Sequence, residues 1–150
     1  LVVRFIEYMP IGQDAKSWRK RYVPLETVFE TAQAAGIELL PGGVVTGNGP
    51  AQYYQIPGAP GQVGLIHPVS DHFCETCNRL RLTADGRLKP CLYWADEVTV
   101  RDCLGDPEKM RDLFYRALAL KPEKHEMARA GEDLESGLVP TLRVMSQIGG

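Results

Sequence analysis

Three cysteines, Cys74, Cys77 and Cys91, stand in a C-x2-C-x13-C pattern around Asn78-Arg79-Leu80-Arg81. Thiols that share a metal must meet in space, so the residues between Cys77 and Cys91 have to double back. Asp85-Gly86 offers the turn, since Asp-Gly is a strong tight-hairpin signal, and residues 79–83 and 87–93 read as the two strands it joins. A four-thiolate site would saturate its metal, whereas three thiolates on a four-iron cluster leave one iron open to another ligand. Spacing alone leaves three readings: a structural zinc site with Cys103 or His72 as fourth ligand, an iron-sulfur cluster, or a disulfide or inert thiols.

With 150 residues, 44% of them apolar and 24% charged, the chain suffices for one compact domain with its own core. A net charge of -2 and a pI near 5.9 argue against a broad nucleic-acid footprint but leave room for a local basic pocket. Arg79 and Arg81, two apart in an expected strand, project from one face and form a small clamp, or else two solvated cations. Planar guanidinium donors suit phosphate oxygens.

No apolar run approaches the roughly 20 residues that cross a bilayer, because Arg4, Glu7, Pro10 and Pro24 interrupt the best candidate. No signal peptide is evident, and C-x2-C suits a reducing compartment, so the expectation is a cytoplasmic protein without membrane or nucleic-acid partners. The chain begins without methionine, in an apolar run that reads as a buried strand over residues 1–9. Such a strand needs a neighbour at its edge, which suggests an upstream portion.

Further along, Pro24 and Gly36 bracket an amphipathic helix over 24–35, and 37–40 reads as a short strand. The glycine-rich stretch 41–50 is a loop that matches neither the P-loop nor the dinucleotide fingerprint. Strands are expected over 51–56 and 62–68. A second helix over 107–120 places Met110, Leu113, Phe114, Ala117 and Leu118 on one face and stops at Lys121-Pro122, and 124–131 adds a turn or two. The tail from 144 to 150 has no periodicity and would ordinarily fray. His67 and His125 read as ordinary polar positions, and Cys103 as an unligated, half-buried thiol.

The segment Phe73-Cys74-Glu75-Thr76-Cys77-Asn78-Arg79-Leu80-Arg81-Leu82, followed by Gly86-Arg87-Leu88-Lys89-Pro90-Cys91-Leu92, resembles the second-cluster region of MoaA-type GTP 3′,8-cyclases. These radical SAM enzymes open molybdenum cofactor biosynthesis. The likeness continues in Arg4-Phe5-Ile6-Glu7-Tyr8-Met9-Pro10, in Gly64-Leu65-Ile66 and in the Gly149-Gly150 terminus.

The resemblance implies that Cys74, Cys77 and Cys91 hold a 4Fe-4S cluster whose free iron accepts the guanine of GTP. It implies that Arg79, Leu80 and Arg81 contact the nucleotide, that Arg4 points toward its triphosphate, and that Met9 contacts S-adenosylmethionine. Gly149 and Gly150 would thread into the active site, where residues without side chains let backbone approach the substrate. In such enzymes a 5′-deoxyadenosyl radical takes hydrogen from C3′ of GTP and the ribose radical attacks C8, which requires a rigidly held substrate.

One departure is plain. The C-x3-C-x2-C motif of radical SAM enzymes, which holds the cluster that cleaves S-adenosylmethionine, is absent from this sequence. The resemblance therefore implies a C-terminal half that catalyses nothing alone and needs an N-terminal radical SAM barrel carrying the other 4Fe-4S cluster. The expected class is α+β: residues 1–36 as the last strand and helix of an incomplete (β/α) barrel, and 37–150 as a small mixed cluster and GTP-binding domain with a β-hairpin. The oligomeric state is open, a homodimer among the options. The rival function is a zinc or iron-sulfur module without nucleotide.

Overall fold

The structure, a computed structural model, describes residues 1–12, 17–43, 47 and 49–148. In chain order it has β1 (Val2–Ile6), α1 (Glu26–Ala34), β2 (Leu40–Pro41), β3 (Gln52–Gln55), β4 (Gln62–Ile66), β5 (Arg81–Leu82), β6 (Arg87–Lys89), β7 (Val98–Thr99) and α2 (Pro107–Ala119), with short 3-10 turns between them. Among the described residues, two helices and two sheets make the expected mixed α+β class. The chain divides into two compact units, Leu1–Met9 with Trp18–Phe73 and Pro10–Ser17 with Cys74–Gly150. Among the described residues no helix is long and apolar enough to cross a membrane.

The first unit is built on a four-stranded sheet in the order β1-β4-β3-β2. β1 runs parallel to β4, with Val2 opposite Gln62 and Ile6 opposite Ile66, while β3 and β2 add antiparallel pairs. A parallel pair needs a long crossover, and α1 lies within it. β1 is not buried as its composition suggests: Phe5 is 43% and Ile6 52% exposed. The strand sits at the sheet margin with β4 as its paired neighbour, and a groove of about 510 Å3 between it and α1, lined by Phe5, Ile6, Val28, Ala32 and Ile37, stays open. α1 buries none of its own residues, though Phe29 meets Tyr54 edge-on at 5.0 Å.

Just past β1, Glu7 is 1% exposed. Its carboxylate accepts from the Val69 and Ser70 amides at 2.8 and 2.9 Å, from the Ser70 hydroxyl and from the Tyr22 hydroxyl at 2.8 Å. Burial pushes its pKa up, but these donors outweigh that and hold it below the ordinary 4.5. Burial and the same carboxylate raise Tyr22 to about 12. The contacts tie the end of β1 to the segment that follows β4.

The second unit holds a three-stranded sheet, β5-β6-β7, with Leu82 opposite Leu88 and Leu88 opposite Val98. Leu88, Val98, Leu113 and Ala117 form its buried cluster, and Leu80, Val100, Cys103 and Met110 pack against it. α2 begins where the sequence predicts: Asp106 accepts from the Glu108 and Lys109 amides at 3.1 Å, and Pro107 fills the first turn. Its inward face is narrower than predicted, because the 110/113/117 row takes the contact and leaves Phe114 and Leu118 44% and 50% exposed.

The tail does not fray as far as residue 148. Thr141 donates its amide to the Tyr93 carbonyl at 2.7 Å, Ala95 does so to Val139 at 2.8 Å, and Ile148 is fully buried. Gly149 and Gly150 lie outside the described residues.

Glu7→Ala is expected to lower unfolding free energy by about 3 kcal/mol, because it strands buried donors that pair with a charged acceptor. A carboxylate with a depressed folded pKa stabilises fully above its ordinary value, and the contribution disappears as pH falls through the folded pKa. Denaturant unfolding at about pH 7 and about pH 3 should therefore show a smaller pH effect in Glu7→Gln than in the native chain.

Candidate metal centre

Cys74 opens a 3-10 turn, Cys74–Thr76, and the Cys77 amide closes it on the Cys74 carbonyl at 3.1 Å. The Asp85-Gly86 hairpin then returns the chain. Gly86 has φ 77°, a conformation costly for residues with a side chain, and the Thr83 amide pairs with the Arg87 carbonyl at 2.8 Å across the turn. Beyond β6, Pro90 and Cys91 arrive beside the first two cysteines. All three thiols are half-buried and free, and Cys74 feels the charge of both others.

Their surroundings are polar in a directed way. Burial, with Cys77 and Cys91 adding to it, pushes the Cys74 thiol up against the opposing pull of the His125 amide. Burial also acts on Cys77, but the Arg79 amide and the Lys121 ammonium outweigh it and bring that thiol down. Lys121 Nζ lies 3.6 Å from Cys77 Sγ and donates to the carbonyls of Arg79 at 3.0 Å and Pro90 at 2.9 Å. Nothing in the sequence near Lys121 announces this, because its partners lie 31 to 44 residues earlier.

Among the described residues no three His, Cys, Asp or Glu side chains are grouped as ligands of one metal ion. Three half-buried thiols beside an ammonium are soft donors of the kind that zinc and iron-sulfur clusters both take.

The hairpin tip is clamped from the tail. Arg143 donates to Glu97 through Nε at 2.9 Å and Nη2 at 2.8 Å, and to Asp85 at 2.8 Å. The Arg143 and Thr83 hydrogen bonds lower Asp85 to about 2, and Arg87 adds a longer contact to Glu97 at 3.3 Å.

The other candidates fall as follows. Arg81 is in β5 opposite Lys89, but Arg79 stands before the strand, because its amide faces Cys77 and its carbonyl faces Lys121 and neither is left for the ladder. Leu80 packs its side chain against the core. Cys103 packs there too, and His72 is exposed. Met9, half-buried beyond β1, and Arg4 belong to the first unit. Arg4 donates to the Tyr53 hydroxyl through Nε at 3.1 Å and Nη2 at 3.0 Å. Gly64 sits opposite both residues, and a Cβ there would meet Arg4 Cγ and Tyr53 Cε1 at 3.1 Å.

Gly64→Val is expected to lower stability by about 1–3 kcal/mol through overpacking, measured by denaturant unfolding. Unchanged stability would mean that Arg4 and Tyr53 are held less closely than described.

A family described as Molybdenum Cofactor Synthesis C matches residues 1–127. The chain is 52% identical over 148 residues to the GTP 3′,8-cyclase of Listeria monocytogenes serovar 1/2a, covering 99% of this chain and 44% of that protein. It is 52% identical over 147 residues to the GTP 3′,8-cyclase of Lactiplantibacillus plantarum, covering 98% and 44%. It is 43% identical over 153 residues to that of Pelotomaculum thermopropionicum, covering 100% and 45%. The chain thus spans less than half the length of these relatives, and with its family matched over most of its residues it belongs to the Molybdenum Cofactor Synthesis C family.

Proposed function

We propose that this chain is the substrate-holding C-terminal part of a GTP 3′,8-cyclase. The longer protein would convert GTP to (8S)-3′,8-cyclo-7,8-dihydroguanosine 5′-triphosphate with S-adenosylmethionine, as a radical SAM lyase of molybdenum cofactor biosynthesis. The observation that carries this reading is the set of three adjoining thiols, Cys74, Cys77 and Cys91, interleaved with Arg79 and Arg81 in one short segment.

Cys74, Cys77 and Cys91 would hold a 4Fe-4S cluster, which supplies an iron without a protein ligand as a Lewis-acidic site for the purine. The protein's own work is placement. Arg79 and Arg81 supply forked donors to an anionic, oxygen-rich nucleotide, and the hairpin, fixed at its tip by Arg143, keeps them at a set distance from the thiols. Arg4, steadied by Tyr53, would meet the triphosphate, Met9 would meet S-adenosylmethionine, and Gly149 and Gly150 would approach the substrate through backbone alone.

Residues 1–36 would complete the partial (β/α) barrel of the longer enzyme as its last strand and helix, with 37–73 packed in the same unit through β4, and the cluster and GTP site of 37–150 would lie beyond residue 73. The apolar exposure of β1 and its adjoining groove supports a covering partner, namely the N-terminal barrel with its own 4Fe-4S cluster. The chain alone would bind and not turn over.

Calorimetry on the chain loaded anaerobically with iron and sulfide tests this. GTP should bind more tightly than ATP, and Arg79→Ala and Arg81→Ala should each weaken GTP by about tenfold, or about 1.4 kcal/mol. Alanine keeps the Arg79 backbone contacts but removes the side chain's own bond to Cys77, so iron content is measured alongside, and weaker GTP binding at native iron content reports the guanidinium. Zinc uptake with no nucleotide preference would return the reading to a metal module without nucleotide.

A further inference from the structure

The residues that end α2 do more than stop a helix. Lys121 closes the helix with its own amide on the Leu118 carbonyl at 3.0 Å, and Pro122 bars another turn. A lysine in this place ordinarily lies against its own helix carbonyls. Here the ammonium turns away to Cys77 Sγ at 3.6 Å, Arg79 O at 3.0 Å and Pro90 O at 2.9 Å. An ammonium has three donors, and all three serve the two segments that carry the cysteines. Four residues later the His125 amide reaches Cys74.

We propose that Lys121 is the positioning cation of the cysteine cradle: it joins the Cys77 and Cys91 segments at the spacing a cluster needs and sets its positive charge against the cluster, favouring the reduced form. The inference rests on the cluster reading above and adds a residue that the reading does not require. Reduction adds a negative charge to the cluster, and a fixed cation beside one of its thiolates stabilises that state more than the oxidised one. Lysine suits the place better than arginine. Its compact tetrahedral head serves three acceptors in separate directions, whereas a planar guanidinium cannot.

The test uses the 150-residue chain, loaded with iron and sulfide under argon, as native protein, Lys121→Met and Lys121→Arg. Two quantities are read: the cluster's midpoint potential, and the rate at which a chelator removes iron. Methionine keeps the length of the stem without charge or donors. It should make the cluster harder to reduce by about tenfold in the equilibrium constant, about 59 mV for a one-electron couple, and should hasten iron loss severalfold. Arginine should restore most of the potential and little of the iron retention. A merely structural lysine would change retention and leave the potential alone, so a native-like potential in Lys121→Met overturns the proposal. If that variant does not fold, Lys121→Arg still decides: iron loss at the native rate would contradict the three-acceptor role. A native chain that takes up no iron and sulfide would overturn the cluster reading and this inference together. A native chain that takes them up while both variants match it would overturn this inference alone.

Discussion

The second unit depends on one constraint: three thiols from two separate segments must be kept side by side although Cys77 and Cys91 raise the cost of ionising Cys74. Thiolates cannot be gathered in a half-buried site without something to offset their repulsion and desolvation. The fold answers with an ammonium against Cys77 and backbone amides against Cys77 and Cys74. Those groups come from the cysteine loop itself and from the residues just past α2, so helix and loop cannot be separated without exposing the sulfurs. The core of Leu88, Val98, Leu113 and Ala117, which joins the hairpin to α2, keeps that run of residues at the cradle.

The chain's last described residues serve the same end. Thr141 and Val139 bond to the strand-like run just after Cys91, Arg143 reaches across to Asp85 at the hairpin tip, and Ile148 is buried. A hairpin gripped at its base by Lys121 and at its tip by Arg143 has little freedom to change the distance between its arginines and the thiols. Substrate positioning needs that kind of rigidity.

What the sequence reveals and conceals divides along the range of the interactions. The Asp85-Gly86 turn and the Asp106-Pro107 helix start are local signals, each set by a neighbour's backbone, and they appear where expected. β7 is two residues long and gains its place from Leu88 and Val98 meeting across the sheet, which no local pattern states. Lys121 reads as a helix stop because its partners are far back in the chain, and the tail reads as loose because its hold comes from Arg143 and Ile148 individually. β1 is half legible for a different reason: its apolar run reads as buried and its edge as needing a neighbour, but composition states what a strand requires, not whether a cover is present.

The central claim is that Cys74, Cys77 and Cys91 frame a cube of iron and sulfur rather than one ion. X-ray absorption at the iron edge of the anaerobically loaded chain measures it directly. The account predicts sulfur neighbours together with a shell of iron neighbours, and the loss of both in a triple Cys74→Ala, Cys77→Ala, Cys91→Ala chain. A single metal ringed at about 2.3 Å by sulfur, with no second metal in range, would contradict it.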